Sequence, residues 1–241
     1  MALVTGANRG IGRTTAERPA AGGFHTIVAA RDLAAAQTVV DRIAAAGGSA
    51  EALALDMADA AAVARAAAQV AARHSPLDVL VNNAGVMLSP GKNIVQVDRA
   101  ELDASLATNS FGPWQMTLAF LPSLRRSVAA RVVNVASAAG SIAETVNRNS
   151  PYAGFEMAPC RFSKAALNML TAWTARALLA ENIKLNRYIP AWCVPSWAEP
   201  RRRARRGRRP KWRGAWRPCR LMGRPAASST SKARSPGEAT H

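Results

Sequence analysis

The chain has 241 residues, is 49% apolar and 20% charged, and carries a formal net charge of +17. That is enough for one domain, or one domain with a tail, and enough apolar material to exclude wholesale disorder. No run of about 18 apolar residues reads as a membrane span. The first six residues lack the basic flank and apolar stretch of a secretory signal, which favours the cytoplasm, and the three cysteines form no CxxC pair, so neither a disulfide scaffold nor a metal site is expected.

In chain order, short apolar runs alternate with Ala-rich stretches of helical length. Strands are expected at 1–5, 26–30, 50–55, 77–81, 131–135 and 183–189, with helices at 11–21, 33–46, 59–73, 98–125 and 160–180. Pro19 conflicts locally with the first helix and is expected to kink or end it. Alternation of this kind predicts an α/β fold of the Rossmann-like, doubly wound type, a mainly parallel sheet with helices on both faces. Ligands of such sheets bind beyond the carboxyl ends of the strands. The polar or turn-forming residues at those ends, Gly6, Arg31, Asp56, Asn82, Ser137 and Pro190, therefore become the first candidates for function.

The segment Thr5-Gly6-Ala7-Asn8-Arg9-Gly10-Ile11-Gly12 follows the first strand and opens a helix. Glycines there allow a tight turn and a close approach to a pyrophosphate, while the helix N-terminus supplies free N–H groups and a positive dipole end. With the ordered motifs that follow, the chain resembles the short-chain dehydrogenase/reductase family over residues 1 to about 192, in the manner of carbonyl-reductase-like members with an extended substrate loop. The resemblance rests on TGxxxGxG at 5–12, NNAG at 82–85 and the wording Ser163-Lys164-Ala165-Ala166-Leu167-Asn168. It implies an oxidoreductase that moves a hydride between a nicotinamide and a small carbonyl or alcohol substrate. It implies cofactor contacts at Thr5, Gly6, Arg9, Gly10, Ile11, Gly12, Asp56, Met57, Asn83, Ala84, Gly85, Lys164 and Pro190, and catalytic roles for Asn109, Ser137 and Lys164.

Two departures stand out. Ala30 ends the second strand where an enzyme preferring NAD usually carries an acidic residue, and Arg31 follows it. Arg31 and Arg9 together suit a 2′-phosphate, so NADP is expected over NAD, and Asp32 is free to cap the next helix. The second departure is Cys160, which stands four residues before Lys164 where the family has its acid–base tyrosine. Lys164 could acidify the thiol, but its side chain is shorter than a phenol, so turnover is expected to suffer by about 10²–10⁴. Tyr152, lacking a lysine four residues on, reads as loop packing or pocket wall.

Beyond 192 the composition changes. Residues 1–192 are net +5 and residues 193–241 net +12, with seven arginines between 201 and 209. The division expected is an incomplete dinucleotide-binding domain, 1–192, and a basic, disordered tail, 193–241. A basic arm for nucleic acid, a solvated like-charged run and a shifted reading frame all account for such a tail. The last accounts for most: with suitable synonymous codons, residues 193–198 read one base earlier give Val-Arg-Thr-Glu-Leu-Gly, which continues the family's Pro-Gly-Trp-Val-x-Thr wording. Residues 224–232 likewise give Thr-Gly-Gly-Phe-Phe-Asn-Glu-Gln. Nucleic acid and membrane partners are accordingly not expected, and loss of the family C-terminus weighs against a homo-oligomer and leaves an exposed sheet edge.

Overall fold

The strands and helices alternate as β1 (Ala2–Thr5), α1 (Gly10–Ala21), β2 (Thr26–Ala30), α2 (Leu33–Ala45), β3 (Ala50–Ala54), α3 (Ala60–Arg73), β4 (Val79–Asn82), α4 (Arg99–Leu106), α5 (Gly112–Arg125), β5 (Arg131–Val135), α6 (Ile142–Val146), α7 (Ala158–Ala177) and β6 (Lys184–Tyr188). The computed structural model describes residues 1–150, 152–154 and 156–190, so the tail expected from 193 on lies outside the described residues. The sheet order is β3-β2-β1-β4-β5-β6, and each of the five pairings is parallel. The expected Rossmann-like, doubly wound architecture is therefore present. Chain direction across the sheet reverses between β1 and β4, and that switch point opens the crevice in which ligands of such sheets sit.

Side-chain parity assigns the helices to the faces. Leu3, Ile27, Leu80, Val132 and Leu185 pack with Val63, Val70, Met116 and Phe120 from α3 and α5. Val4, Val28, Ala30 and Val81 pack with Ala16 and Ala20 of α1 and Val39 and Ile43 of α2. Phe120 is fully buried, and truncating such a residue costs about 3–5 kcal/mol.

Local chemistry sets the helix starts. Asp32 accepts the Ala35 N–H at 3.1 Å, Asp59 accepts those of Ala61 and Ala62, and Asp98 and Glu101 form a reciprocal capping box at α4. The helix expected at 98–125 is interrupted by a π turn, 107–111, between α4 and α5. Pro19 does not end α1 where expected. The helix runs on to Ala21, because a proline in the last turn forfeits only one internal bond, and the Gly22 and Phe24 N–H groups then cap the Pro19 carbonyl. No helix among the described residues is long and apolar enough to cross a membrane.

Candidate functional site

The cofactor and catalytic candidates gather at the carboxyl ends of the strands and on the turns and helices that follow them. The glycine turn joins β1 to α1. Gly6 has φ +61°, and a Cβ there would stand 2.7 Å from the Ala84 Cα. A Cβ on Gly12 would stand 2.2 Å from the Gly6 carbonyl oxygen and 2.4 Å from Asn83 Nδ2. Glycine is thus demanded by contact with the β4 loop as well as by the turn. Asn83 and Thr5 make the join: Asn83 Nδ2 donates to the carbonyls of Thr5 (2.9 Å) and Gly6 (3.1 Å), while Thr5 Oγ1 accepts the Asn83 and Ala84 N–H groups.

On its outer side the turn is open. A Cβ on Gly10 would meet nothing within 4 Å. The N-cap residue of α1 is Arg9, no side chain caps the helix, and its first turn holds no acidic residue. Free N–H donors and the positive end of the helix dipole are left for an anion. Arg9 and Arg31 are both exposed, and neither guanidinium has a hydrogen bond or ion pair among the described residues. Asp32, one residue on, is spent as the cap of α2. Asp56 accepts the Ala58 N–H through one oxygen, and Met57 is buried, its carbonyl 2.7 Å from where a Gly112 Cβ would lie. Ile11 is half-buried, as is Pro190 beyond the end of β6.

The second half of the site hangs on the π turn and α7. Asn109, fully buried on that turn, donates to the Val86 carbonyl (2.9 Å) and Ser163 Oγ (3.0 Å) and accepts the Val86 N–H (2.8 Å). Ser163 passes the chain of bonds to the Cys160 carbonyl (2.9 Å), and Ser110 donates to the Ser163 carbonyl (2.7 Å). π turns are rare and concentrate at functional positions. Lys164 Nζ donates to the Val135 carbonyl at 2.6 Å, at the end of β5. Ser137 opens the short turn 138–140, accepting the Ala139 N–H, and that turn presses on α7: a Gly140 Cβ would stand 2.6 Å from the Lys164 carbonyl carbon. Gly85 lies between the parts, its missing Cβ 3.2 Å from Asn109 Oδ1 and 3.9 Å from Lys164 Nζ. Asn109, Ser163, Lys164, Cys160 and the Ser137 turn therefore converge from three separate segments.

The thiol is not acidified as the sequence suggested. Burial raises the Cys160 pKa, and the nearby Lys164 and Arg161 charges only oppose that. Burial likewise lowers the Lys164 pKa, opposed by Cys160. Desolvation penalises both charged forms, so the pair leans toward a neutral thiol rather than a thiolate–ammonium pair. Tyr152 lies in the turn 152–154, where its carbonyl accepts a hydrogen bond from Arg161 and its N–H donates to Ser150 Oγ. The chain just beyond it meets the loop after β4, as the Gly91 N–H donates to the Glu156 carbonyl at 2.7 Å.

Sequence reading missed a buried polar ladder beneath the site. Asn82 Nδ2 donates to Asn134 Oδ1 (2.8 Å), Asn134 donates to Thr171 Oγ1 (2.9 Å), and Thr171 donates to the Leu167 carbonyl (2.6 Å). It ties β4, β5 and α7 together. The available signal was an asparagine inside an otherwise apolar strand run, Arg131-Val132-Val133-Asn134-Val135.

Glycine turn, switch-point crevice and convergent Asn/Ser/Lys set define a dinucleotide-dependent oxidoreductase. The chain belongs to the short chain dehydrogenase family, whose model matches residues 1–205. A short-chain dehydrogenase, anuI, of Penicillium roqueforti (strain FM164) is 35% identical over 199 residues, covering 80% of this chain and 78% of that one. Among solved structures, a metagenomic short-chain oxidoreductase in complex with NADP superposes with a TM-score of 0.70 at 33% identity, covering 80% of this chain and 82% of that one. An NADPH-bound carbonyl reductase from chicken fatty liver does so with a TM-score of 0.71 at 29% identity, over 79% of each chain.

Proposed function

We propose that this family member binds NADP and carries out carbonyl/alcohol oxidoreduction on a small molecule, with turnover limited by Cys160 at the proton-donor position. The observation that carries the cofactor choice is the pair of guanidiniums, Arg9 and Arg31, that have no partner among the described residues, beside an uncapped, glycine-opened helix N-terminus. That arrangement suits three phosphates better than two, because a 2′-phosphate gives both arginines a partner. The NADP in the similar metagenomic structure supports the same choice. In this reading Thr5, Gly6, Gly10, Ile11 and Gly12 hold the pyrophosphate, Asp56 and Met57 the adenine, and Asn83, Ala84, Gly85 and Pro190 the walls of the crevice. Bound there, the nicotinamide supplies or accepts the hydride. Ser137 orients the substrate oxygen, Lys164 holds the ribose, Asn109 braces the site, and the neutral, buried Cys160 thiol is the available proton source. Its short reach favours a second reading, an NADP-binding protein without useful turnover.

The division at 192/193 and the shifted frame belong to the same proposal. Without the family C-terminus the substrate side is unfinished, and sequencing the gene around the Trp192 codon tests that part directly.

The functional test is a calorimetric titration of the chain with NADPH and NADH, followed by a panel of carbonyl substrates. Arg31→Asp is expected to weaken NADPH about tenfold or more, with little change for NADH. Equal weakening of both overturns the NADP choice. Cofactor binding with no carbonyl turned over selects the second reading.

A further inference from the structure

At the amino-terminal end of the sheet, opposite the glycine turn, two of the chain's three histidines meet a carboxylate. His25 immediately precedes β2, Glu51 is the second residue of β3, and His74 follows the last residue of α3. One ligand atom from each lies within 4.8 Å of the others, and each residue is half-buried. The rings of His25 and His74 lie with centroids 4.9 Å apart, tilted 31° to one another. His74 Nε2 lies 3.1 Å from Glu51 Oε1. His25 Nδ1 lies 2.7 Å from Ser49 Oγ, whereas its Nε2 is buried and has no hydrogen-bond partner among the described residues.

The last fact is the telling one. A buried ring nitrogen without a partner forfeits a hydrogen bond, and a metal-binding imidazole is oriented by donating its other ring N–H to an acceptor, a part the Ser49 hydroxyl oxygen can play. With Nδ1–H directed at Ser49 Oγ, Nε2 presents a lone pair. We propose that His25, Glu51 and His74 form a zinc site of two imidazole nitrogens and one carboxylate oxygen, with a fourth position open to solvent. Zinc is the ion chosen because a mixed set of two imidazoles and one carboxylate suits it, whereas this cluster offers neither sulfur nor an all-oxygen cage. Ligands about 2.0–2.2 Å from a tetrahedral zinc stand roughly 3.4 Å apart, so small rotations from the present spacing close the site. Arg73, 3.4 Å from Glu51 Oε1, is half-exposed and must give way to the ion. Zinc there would clip β2, β3 and α3 together, independently of the cofactor crevice and of any reading of its chemistry.

The test is zinc titration of the full chain by calorimetry, beside His25→Ala, His74→Ala and the double variant. One equivalent is expected to bind the native chain, at least 100-fold more weakly to the double variant, which should still bind NADPH like the native chain. Zinc at 100 times its Kd should raise the thermal midpoint by about 5–10 °C. Cobalt substitution of the native chain gives a readout that needs no variant: tetrahedral visible bands without thiolate charge-transfer absorption. Thiolate bands, unchanged zinc binding in the double variant, or no binding to the native chain would each overturn the site, the first two by assigning the metal to other ligands such as Cys193, Cys219 or His241.

Discussion

The two flanks of the sheet are built differently. In β1 and β2 every residue is buried, as expected of parallel strands covered by helices on both sides. In β5 and β6 burial is less even: Val132, Asn134 and Leu185 are buried beneath the α3/α5/α7 side and Val135 on the other, while Arg131, Val133 and Tyr188 are half-buried and Lys184, Asn186 and Arg187 exposed. The strands beside the glycine turn, β1 and β2, are covered on both faces, whereas β3 at that edge of the sheet is mostly half-buried. The flank that carries the chemistry is finished on one face and has Cys160 where a phenol is expected. The glycine turn lies between β1 and α1 whereas Cys160 lies on α7, so cofactor binding and turnover can be tested separately.

The largest effect should come from repairing the chemical flank alone. Cys160→Tyr, placed in a chain whose residues from 193 follow the shifted frame, is expected to raise kcat by about 10²-fold or more while leaving NADPH affinity unchanged. Steady-state rates for the four combinations of native and repaired parts measure this. Full family-like turnover with Cys160 retained would show that the thiol or Tyr152 already moves the proton.

Damage to the binding flank should do the converse. Gly12→Ala forces a methyl into the Gly6 carbonyl and the Asn83 amide, at a cost of about 1–3 kcal/mol in stability and a tenfold or greater loss of NADPH affinity, read by thermal melting and calorimetry. Unchanged affinity would mean that the turn relaxes without consequence.

The unequal cover is tested by a matched pair. Val28→Ala, in a strand closed on both faces, is expected to cost about 2 kcal/mol, and Val133→Ala roughly half that, in urea unfolding. Equal costs would show that the two faces of β5 are equally packed in solution.

The smallest effect concerns the loop that lies over the catalytic flank. Glu101 binds Lys92, Ser89 and the Asp98 N–H, and these contacts bring its carboxyl down to about 2. A depressed carboxylate stabilises when ionised, so the contribution is complete above the ordinary carboxylate range and fades as pH falls toward 2. Hydrogen exchange of residues 86–98 should be flat from pH 8 to 5 after correction for intrinsic rates, and Glu101→Gln should raise it at neutral pH.

The sequence by itself determined the α/β class, the placement of the strands, the glycine turn and the identity of the residue facing Lys164. Each is written in contiguous residues: apolar runs closed by glycine or asparagine, a helix start, a four-residue spacing on one helix. Even the caps at Asp32 and Asp59 are local, since an acidic side chain reaches only N–H groups two or three residues on. Tertiary structure decided the rest. The bracing of Asn109 by Ser163, 54 residues away, depends on how the π turn is rotated against α7. The Asn82–Asn134–Thr171 ladder needs the register of β4 on β5. The direction of the Cys160 shift depends on how much water packing removes, which a neighbouring lysine in the sequence does not reveal. His25, Glu51 and His74 have no recognisable spacing and become one cluster only because parallel pairing sets β2 beside β3 and α3 returns the chain to the same end of the sheet. Contacts of that kind are set by strand register and helix rotation, which no local run of residues encodes.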